Sequence, residues 1–390
     1  MRVLHQLGHQ FTWNIDCLNK DKVGDGYIIG PNFVPATKVE TLCKANPYIK
    51  VFDPQIFVSS YATKKLVSYP YHPSVVQGQY PSSPEPQRLV ITASECIDLQ
   101  INLDAEILVI PTESSPYHEQ TVFDEQKRKY IDPFLNKIQG SQIRKPVFLQ
   151  VVLDEFVIVT DTFRRKMLNW LTSFPEIDGV YIIFEVSPRA KQLSSVNFLL
   201  QVNEFIYQIK QTGMSVLLGY QNTEAILLSL SDPDYVTIGS FNNLRIFSTS
   251  HFRQKTKTQQ RQPNARVYYS KLLNWVDYRY NSELERVLGT SIFDNSKYSP
   301  ELTRVGYKWS GQTKEPYLHY FEVFTSQIKE LSMYYGKVRY QKIAEDLSIA
   351  QRNYSQLEKH GVILEGDSRG SHISDWISVA DSFAKNRGWT

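Results

Sequence analysis

The feature that most restricts what this chain can become is a beat of short apolar runs, each ended by a polar residue, a glycine or a proline. They are Gly26-Tyr-Ile-Ile-Gly-Pro-Asn, Ile49-Lys-Val-Phe-Asp-Pro-Gln, Glu106-Ile-Leu-Val-Ile-Pro-Thr-Glu113, Pro146 through Leu153 to Asp154-Glu155, Gly179-Val-Tyr-Ile-Ile-Phe-Glu185, Ser215-Val-Leu-Leu-Gly-Tyr-Gln, Tyr235-Val-Thr-Ile-Gly-Ser-Phe and Arg266-Val-Tyr-Tyr. A run that is apolar at consecutive positions is buried on both faces, as the strands of a parallel sheet are. Between the runs lie stretches with helical spacing: Ala36 to Ala45, Ile91 to Asn102, Asp124 to Ile138, Thr162 to Phe174 behind Asp161 as N-cap, Val196 to Gln211 and Thr223 to Ser231. Ser68 to Gln87 holds five prolines and reads as a long loop. Eight strand–helix units in this length predict an α/β fold, a (β/α)8 TIM-type barrel over residues 1–275. The competitor, a doubly wound open sheet, lacks a G-x-G-x-x-G after its first strand.

Past the barrel, over residues 276–390, the pattern becomes that of a mostly helical appendage. Pro316 to Tyr335 and Val338 to His360 carry apolar residues at helical spacing. Val362-Ile-Leu and Ser371-His-Ile-Ser-Asp-Trp read as a small hairpin or extended segment. A helical pair followed by a hairpin suits a winged-helix-like reader of nucleic acid; mixed charge along it suits a cap packed on the barrel.

Composition removes several classes. Cys17, Cys43 and Cys96 have no C-x-x-C spacing, against a disulfide framework or a cysteine-rich zinc site. No apolar run reaches the ~18 residues of a membrane span, and Met1-Arg-Val-Leu-His-Gln lacks the apolar core of a signal peptide, so a cytoplasmic protein without a membrane partner is expected. Net charge is only +3, so any nucleic-acid footprint must come from local clustering.

One such cluster follows the seventh run. After Gly239-Ser240 there is no Asp or Glu until Asp277, while Arg245, Arg253, Lys255, Lys257, Arg261, Arg266 and Lys271 accumulate. A strand ending in Gly-Ser and feeding a cationic loop can hold phosphate through backbone N–H groups and basic side chains; a plain solvated loop is the alternative.

A barrel of this type places its active site at the C-terminal ends of its strands. The polar residues there are Asn32, Asp53, Gln55, Glu113, Asp154, Glu155, Glu185, Tyr220, Gln221 and Ser240. Asp53 follows Val-Phe and precedes Pro54, which would hold its carboxylate as nucleophile or cation stabiliser; an Asx turn is the alternative. Glu185 ends the most uniformly apolar run and is a candidate general acid, or the partner of a salt bridge to Arg189. Asp154 and Glu155 are adjacent, so one of them at most should face the mouth. Paired carboxylates suit glycosyl transfer and need no cofactor, although the same acids on Mg²⁺ would serve phosphoryl chemistry. Acids for a sugar carbon beside cations for phosphates point to nucleic acid, with Tyr220 or Phe241 as a platform for an extruded base.

Over roughly Gly26 to Tyr269, the strand-end Phe-Asp-Pro-Gln at Asp53, the acids on later strands and the Gly239-Ser240 turn resemble the tRNA-guanine transglycosylase-like barrels. That resemblance implies cleavage of an N-glycosidic bond by aspartate. The family's Asp-Ser-Gly-Gly-Phe-Gln stretch and its zinc-binding cysteines are absent, so base removal, as by a DNA glycosylase of phage defence, is expected rather than base exchange in tRNA. A carbohydrate-active glycoside hydrolase and a non-catalytic nucleic-acid-binding barrel are the alternatives.

Overall fold

The computed structural model describes residues 1–61, 63–187, 191–252, 265–309 and 313–390. Eight parallel strands form one sheet: β1 (Arg2–Gln6), β2 (Gly26–Ile29), β3 (Ile49–Phe52), β4 (Leu108–Ile110), β5 (Val147–Asp154), β6 (Gly179–Glu185), β7 (Ser215–Leu218) and β8 (Tyr235–Gly239). Their order is β3-β2-β1-β8-β7-β6-β5-β4, and a bridge between Val51 and Ile107 brings the two edges together. The result is a nearly closed TIM-like barrel with helices between its strands.

The strand count is right, but one member differs. Arg2–Gln6 is the first strand, pairing with β2 on one side and β8 on the other. Its polar His5 and Gln6 hide it from a search for apolar runs. Arg266–Tyr269 instead pairs antiparallel with Asn274–Asp277 in a separate two-stranded ribbon of β9 and β10. The Pro-rich stretch also holds a helix, Pro73–Gln79, and a further helix begins at Glu85, with proline accommodated in the first turn of each.

Strand alternation sorts the side chains. Leu4, Ile28, Val51, Val109, Phe148, Val152, Tyr181, Ile183 and Leu217 fill the interior, while Val3, Leu7, Ile29, Phe52 and Val236 face the helices. At the N-terminal rim, an aspartate just before β2, β6 and β8 caps a neighbouring strand. Asp25 accepts from Val3 N at 2.8 Å, Asp178 from Val147 N at 2.8 Å and Asp234 from Val216 N at 2.7 Å. These acids satisfy amides that would otherwise begin a strand unpaired.

The C-terminal region packs on the barrel as a cap. Helix Glu315–Ser332 sets Phe321 against His5, with ring centroids 5.0 Å apart. From the long helix Gly336–Lys359, buried Arg339 donates to Ser229 O at 2.9 Å and Asp232 at 2.7 Å. The hairpin expected around 371–376 is not formed: His372–Lys385 is a helix, and Trp376 donates to Leu193 O at 2.8 Å. Its burying face (Ile373, Trp376, Val379, Ala380, Phe383) has helical period, a signal that the preceding short apolar Val362-Ile-Leu masks. Among the described residues, no helix is long and apolar enough to cross a membrane.

Candidate active site at the barrel mouth

Asp53 leaves β3 pointing into the barrel and is wholly buried. Its Oδ1 accepts from Gln55 N at 3.0 Å and Gln150 Nε2 at 2.7 Å, and its Oδ2 from Tyr181 OH at 3.2 Å. Burial pushes its pKa up to about 6, against the pull of those three hydrogen bonds. Tyr181 reaches it because residue 219 is glycine: a Cβ there would lie 2.4 Å from the tyrosine ring. Above this polar layer, Gln55 donates to Tyr220 OH at 3.0 Å and accepts from Asn32 N at 3.0 Å. Gln55 and Tyr220 hold left-handed backbone at φ 54° and 55°, a strain typical of constrained sites.

Three phenylalanines then close the mouth. Phe57, Phe247 and Phe252 pack with ring centroids 4.8 to 5.6 Å apart, and Tyr220 lies 5.0 Å from Phe247. The sequence expectation of Asp53 as a group held at an open mouth is therefore corrected: it is held, but under an aromatic plug. Tyr220 is engaged inside that plug, and Phe241 packs on Tyr317 at 5.1 Å, so neither ring offers a free stacking face.

Asp154 and Glu185 are differently placed. They are register partners on neighbouring parallel strands, β5 and β6, and both line a cleft of about 640 Å³ that opens to solvent. Such partners sit roughly 4.8 Å apart at Cα with side chains on the same face. Glu185 is fixed across the mouth: its Oε1 accepts from Thr249 N at 3.1 Å and Thr249 Oγ1 at 2.6 Å, and its Oε2 from Ser114 Oγ at 3.1 Å. Asp154 Oδ1 accepts from Val157 N at 2.8 Å and caps the short helix Glu155–Val159. Because the strand gives way to helix at residue 155, alternation stops, and Glu155 lines the same cleft after all. Phe156, Phe198 and the hydroxyls of Ser187, Ser194, Ser195 and Ser248 complete much of the wall.

The other sequence candidates divide. Glu113 accepts from Tyr130 OH at 2.7 Å, 4.0 Å from Lys129 Nζ, in a second cleft of about 480 Å³. Asn32 Oδ1 accepts from Thr63 at 2.7 Å, and the backbone of Gln221 donates to Thr237 at 3.1 Å. Gly239 has a packing reason to be glycine: an added Cβ would lie 2.5 Å from Leu244. Ser240 is buried, and its hydroxyl has no partner. Of the cations, Arg245 lies buried over the Trp275 ring, Arg266 pairs with Asp367 at 2.7 Å, and Lys271 donates to Ser291 O. Arg245 is thus buried and Arg266 is neutralised by its partner, whereas Lys271 stays at the surface. Arg189, Arg253, Lys255, Lys257 and Arg261 lie outside the described residues.

Several site residues escape a search of strand ends. Gln150 and Tyr181 lie within strands, legible only as polar interruptions of apolar runs. Gln6 sits on the unrecognised β1, wholly buried with both amide atoms unpartnered. Ser114 and Thr249 come from loops whose convergence on Glu185 no local pattern shows. Among the described residues, no three His, Cys, Asp or Glu side chains converge so as to hold a metal ion. Compared with known protein families and with curated proteins, the sequence matches none.

Proposed function

We propose that this chain is a glycosidase that removes a base from nucleic acid, DNA in particular, with the Asp154–Glu185 pair doing the chemistry. The observation that carries the proposal is that pair, in register on adjacent strands at the edge of an open cleft on the C-terminal side of a barrel. Glu185, fixed by three donors, is placed to face the sugar carbon on which positive charge develops. Asp154 has one oxygen committed to the helix turn and offers the other for proton transfer to the leaving base or from water. Asp53, first in line from sequence, becomes a supporting group that ties β3, β5 and β6 together beneath the plug. The resemblance to transglycosylase-like barrels supports the bond type, and the sequence run of Arg253, Lys255, Lys257 and Arg261 without an intervening acid supports the polymer.

A neutral carbohydrate is the second reading, favoured by the cleft wall. Its described lining carries three carboxylates and four serines and no Lys or Arg, which suits sugar hydroxyls better than phosphates. Incubating the protein with duplex DNA, single-stranded DNA, tRNA and neutral oligosaccharides, followed by mass analysis of small products, separates the two. Release of a free base, reduced about 10²-fold or more in Glu185→Gln and Asp154→Asn with folding intact, is the expected result. Reducing sugar in place of base would establish the carbohydrate reading. Full activity in both variants would end the role of this pair.

A further inference from the structure

A second concentration of unmet hydrogen-bonding capacity lies beside the cleft, where the segments after β7 and β8 meet the C-terminal cap. Arg245 is only 8% exposed, with its guanidinium 4.0 Å from the Trp275 ring centroid and 5.4 Å from that of Tyr320. Its Nε and Nη1 have no hydrogen-bond partner, and neither do Trp275 Nε1 or Tyr320 OH. Glu224 accepts from Asn222 N at 2.8 Å through Oε1, while its Oε2 and Asn222 Oδ1 are buried without partners. Glu224 interacts electrostatically with both Arg245 and Tyr320. A buried guanidinium with unpaired donors is strongly disfavoured, and stacking on Trp275 offsets only part of that cost. Native interiors leave few polar groups unpaired, so this many in one neighbourhood mark a place suited to a polar ligand.

The chemistry of that occupant follows from the groups. Four N–H or O–H donors without partners, from three side chains, lie in one neighbourhood with a fixed positive charge, which matches an oxyanion. Lys191 and Arg266 lie close enough for their charges and that of Arg245 to oppose one another. Arg266 is already balanced by Asp367, whereas Lys191 has no ion pair with a described residue, so the local balance stays positive. Burial pushes the Glu224 carboxyl up to about 7, so near neutrality a large share of it is neutral and able to donate. In barrels of this kind the segments after the seventh and eighth strands are a common seat for phosphate. This seat is also continuous with the cleft, since Asn222 Nδ2 donates to Lys191 O at 2.8 Å and Gln192 lines the cleft wall.

We propose that Arg245, Trp275, Tyr320 and Glu224 form an oxyanion subsite for a phosphoryl group, next to the Asp154–Glu185 cleft. The subsite is read by binding alone and does not depend on the glycosidase activity proposed above. Calorimetric titration of the whole chain with inorganic phosphate, sulfate and a nucleoside 5′-monophosphate tests it, at constant ionic strength set by chloride. Saturable binding of phosphate and sulfate is expected. Arg245→Met, which keeps bulk but removes charge and donors, should raise Kd about tenfold or more. Trp275→Phe should raise it severalfold, and Arg245→Lys serves where the methionine variant does not fold. Tighter binding of the monophosphate than of inorganic phosphate identifies a nucleotide as source, and equal affinity identifies a simple phosphate site. Absence of saturable binding, or a Kd unchanged in the folded arginine variants, overturns the subsite.

Discussion

Replacing Asp53 with asparagine should make this protein more stable, not less, above pH 7. Asn is isosteric with the carboxyl and can keep the whole arrangement: its oxygen accepts from Gln55 N and Gln150 Nε2, and its amide donates to Tyr181 OH. What it removes is the cost of holding a charge in a site with no exposed surface. Burial raises the Asp53 pKa from the ordinary 3.8 to about 6, which corresponds to at most about 3 kcal/mol between the two protonation states. The sign follows from proton binding. Between pH 4 and 6 the folded chain retains a proton that the unfolded chain has released, so this contribution is full below pH 4 and lost as pH rises through 6. Urea unfolding of both proteins from pH 4 to pH 8 isolates it, because every other titrating group cancels in the difference. The expected result is equal stability near pH 4 and an advantage for Asp53→Asn that grows with pH and levels off above pH 7. A variant less stable than the parent at pH 8, or a difference independent of pH, would refute the reasoning. If the chain is the glycosidase proposed above, the same variant should keep its activity. Loss of turnover alongside gained stability would mean that substrate reaches Asp53 once the phenylalanine plug has moved.

Other consequences are as specific. Gly219→Ala places a methyl 2.4 Å from the Tyr181 ring and should cost about 1–3 kcal/mol in thermal unfolding while displacing the tyrosine from Asp53. Arg339→Met removes donors from Leu331 O, Tyr334 O, Ser229 O and Asp232, and should cost about 2–4 kcal/mol in chemical denaturation by loosening cap from barrel. His5, donating to Val23 O through Nε2 at 2.9 Å and accepting from Asn14 through Nδ1 at 3.1 Å, is held neutral, chiefly by burial, with its pKa lowered to about 4. Its contribution is full above pH 6.5 and lost as pH falls through 4, so an NMR titration should find its ring neutral at pH 5, and a midpoint near 6.5 would contradict this.

Much of the barrel was open to a reading of local pattern. Runs such as Val147–Leu153 and Val180–Phe184 are apolar at every position or nearly so, and only a strand covered on both faces asks for that. Strand ends followed, and with them the polar residues that stand there, including Asp154 and Glu185. Arg2–Gln6 was not legible, because a strand with His5 against the cap and Gln6 inside the barrel has no apolar run to show. Arg266–Tyr269 has the run, but its partner is the following strand Asn274–Asp277, in an antiparallel ribbon that local pattern does not announce.

What the sequence determines by itself is the class of fold and the set of residues carried to the mouth, since alternation, helical spacing and turn residues act over a few positions. Accessibility is decided elsewhere. Asp53 is sealed because Gln150, Tyr181 and Phe247 arrive from about 100 to 200 residues away, whereas Asp154 and Glu185 line a cleft that opens to solvent. Arg245 reads as a surface cation until Trp275 and Tyr320 close over it. Burial sets whether a charge is a ligand-seeking group or an internal strut, and burial is a property of contacts between segments that no short stretch of chain contains.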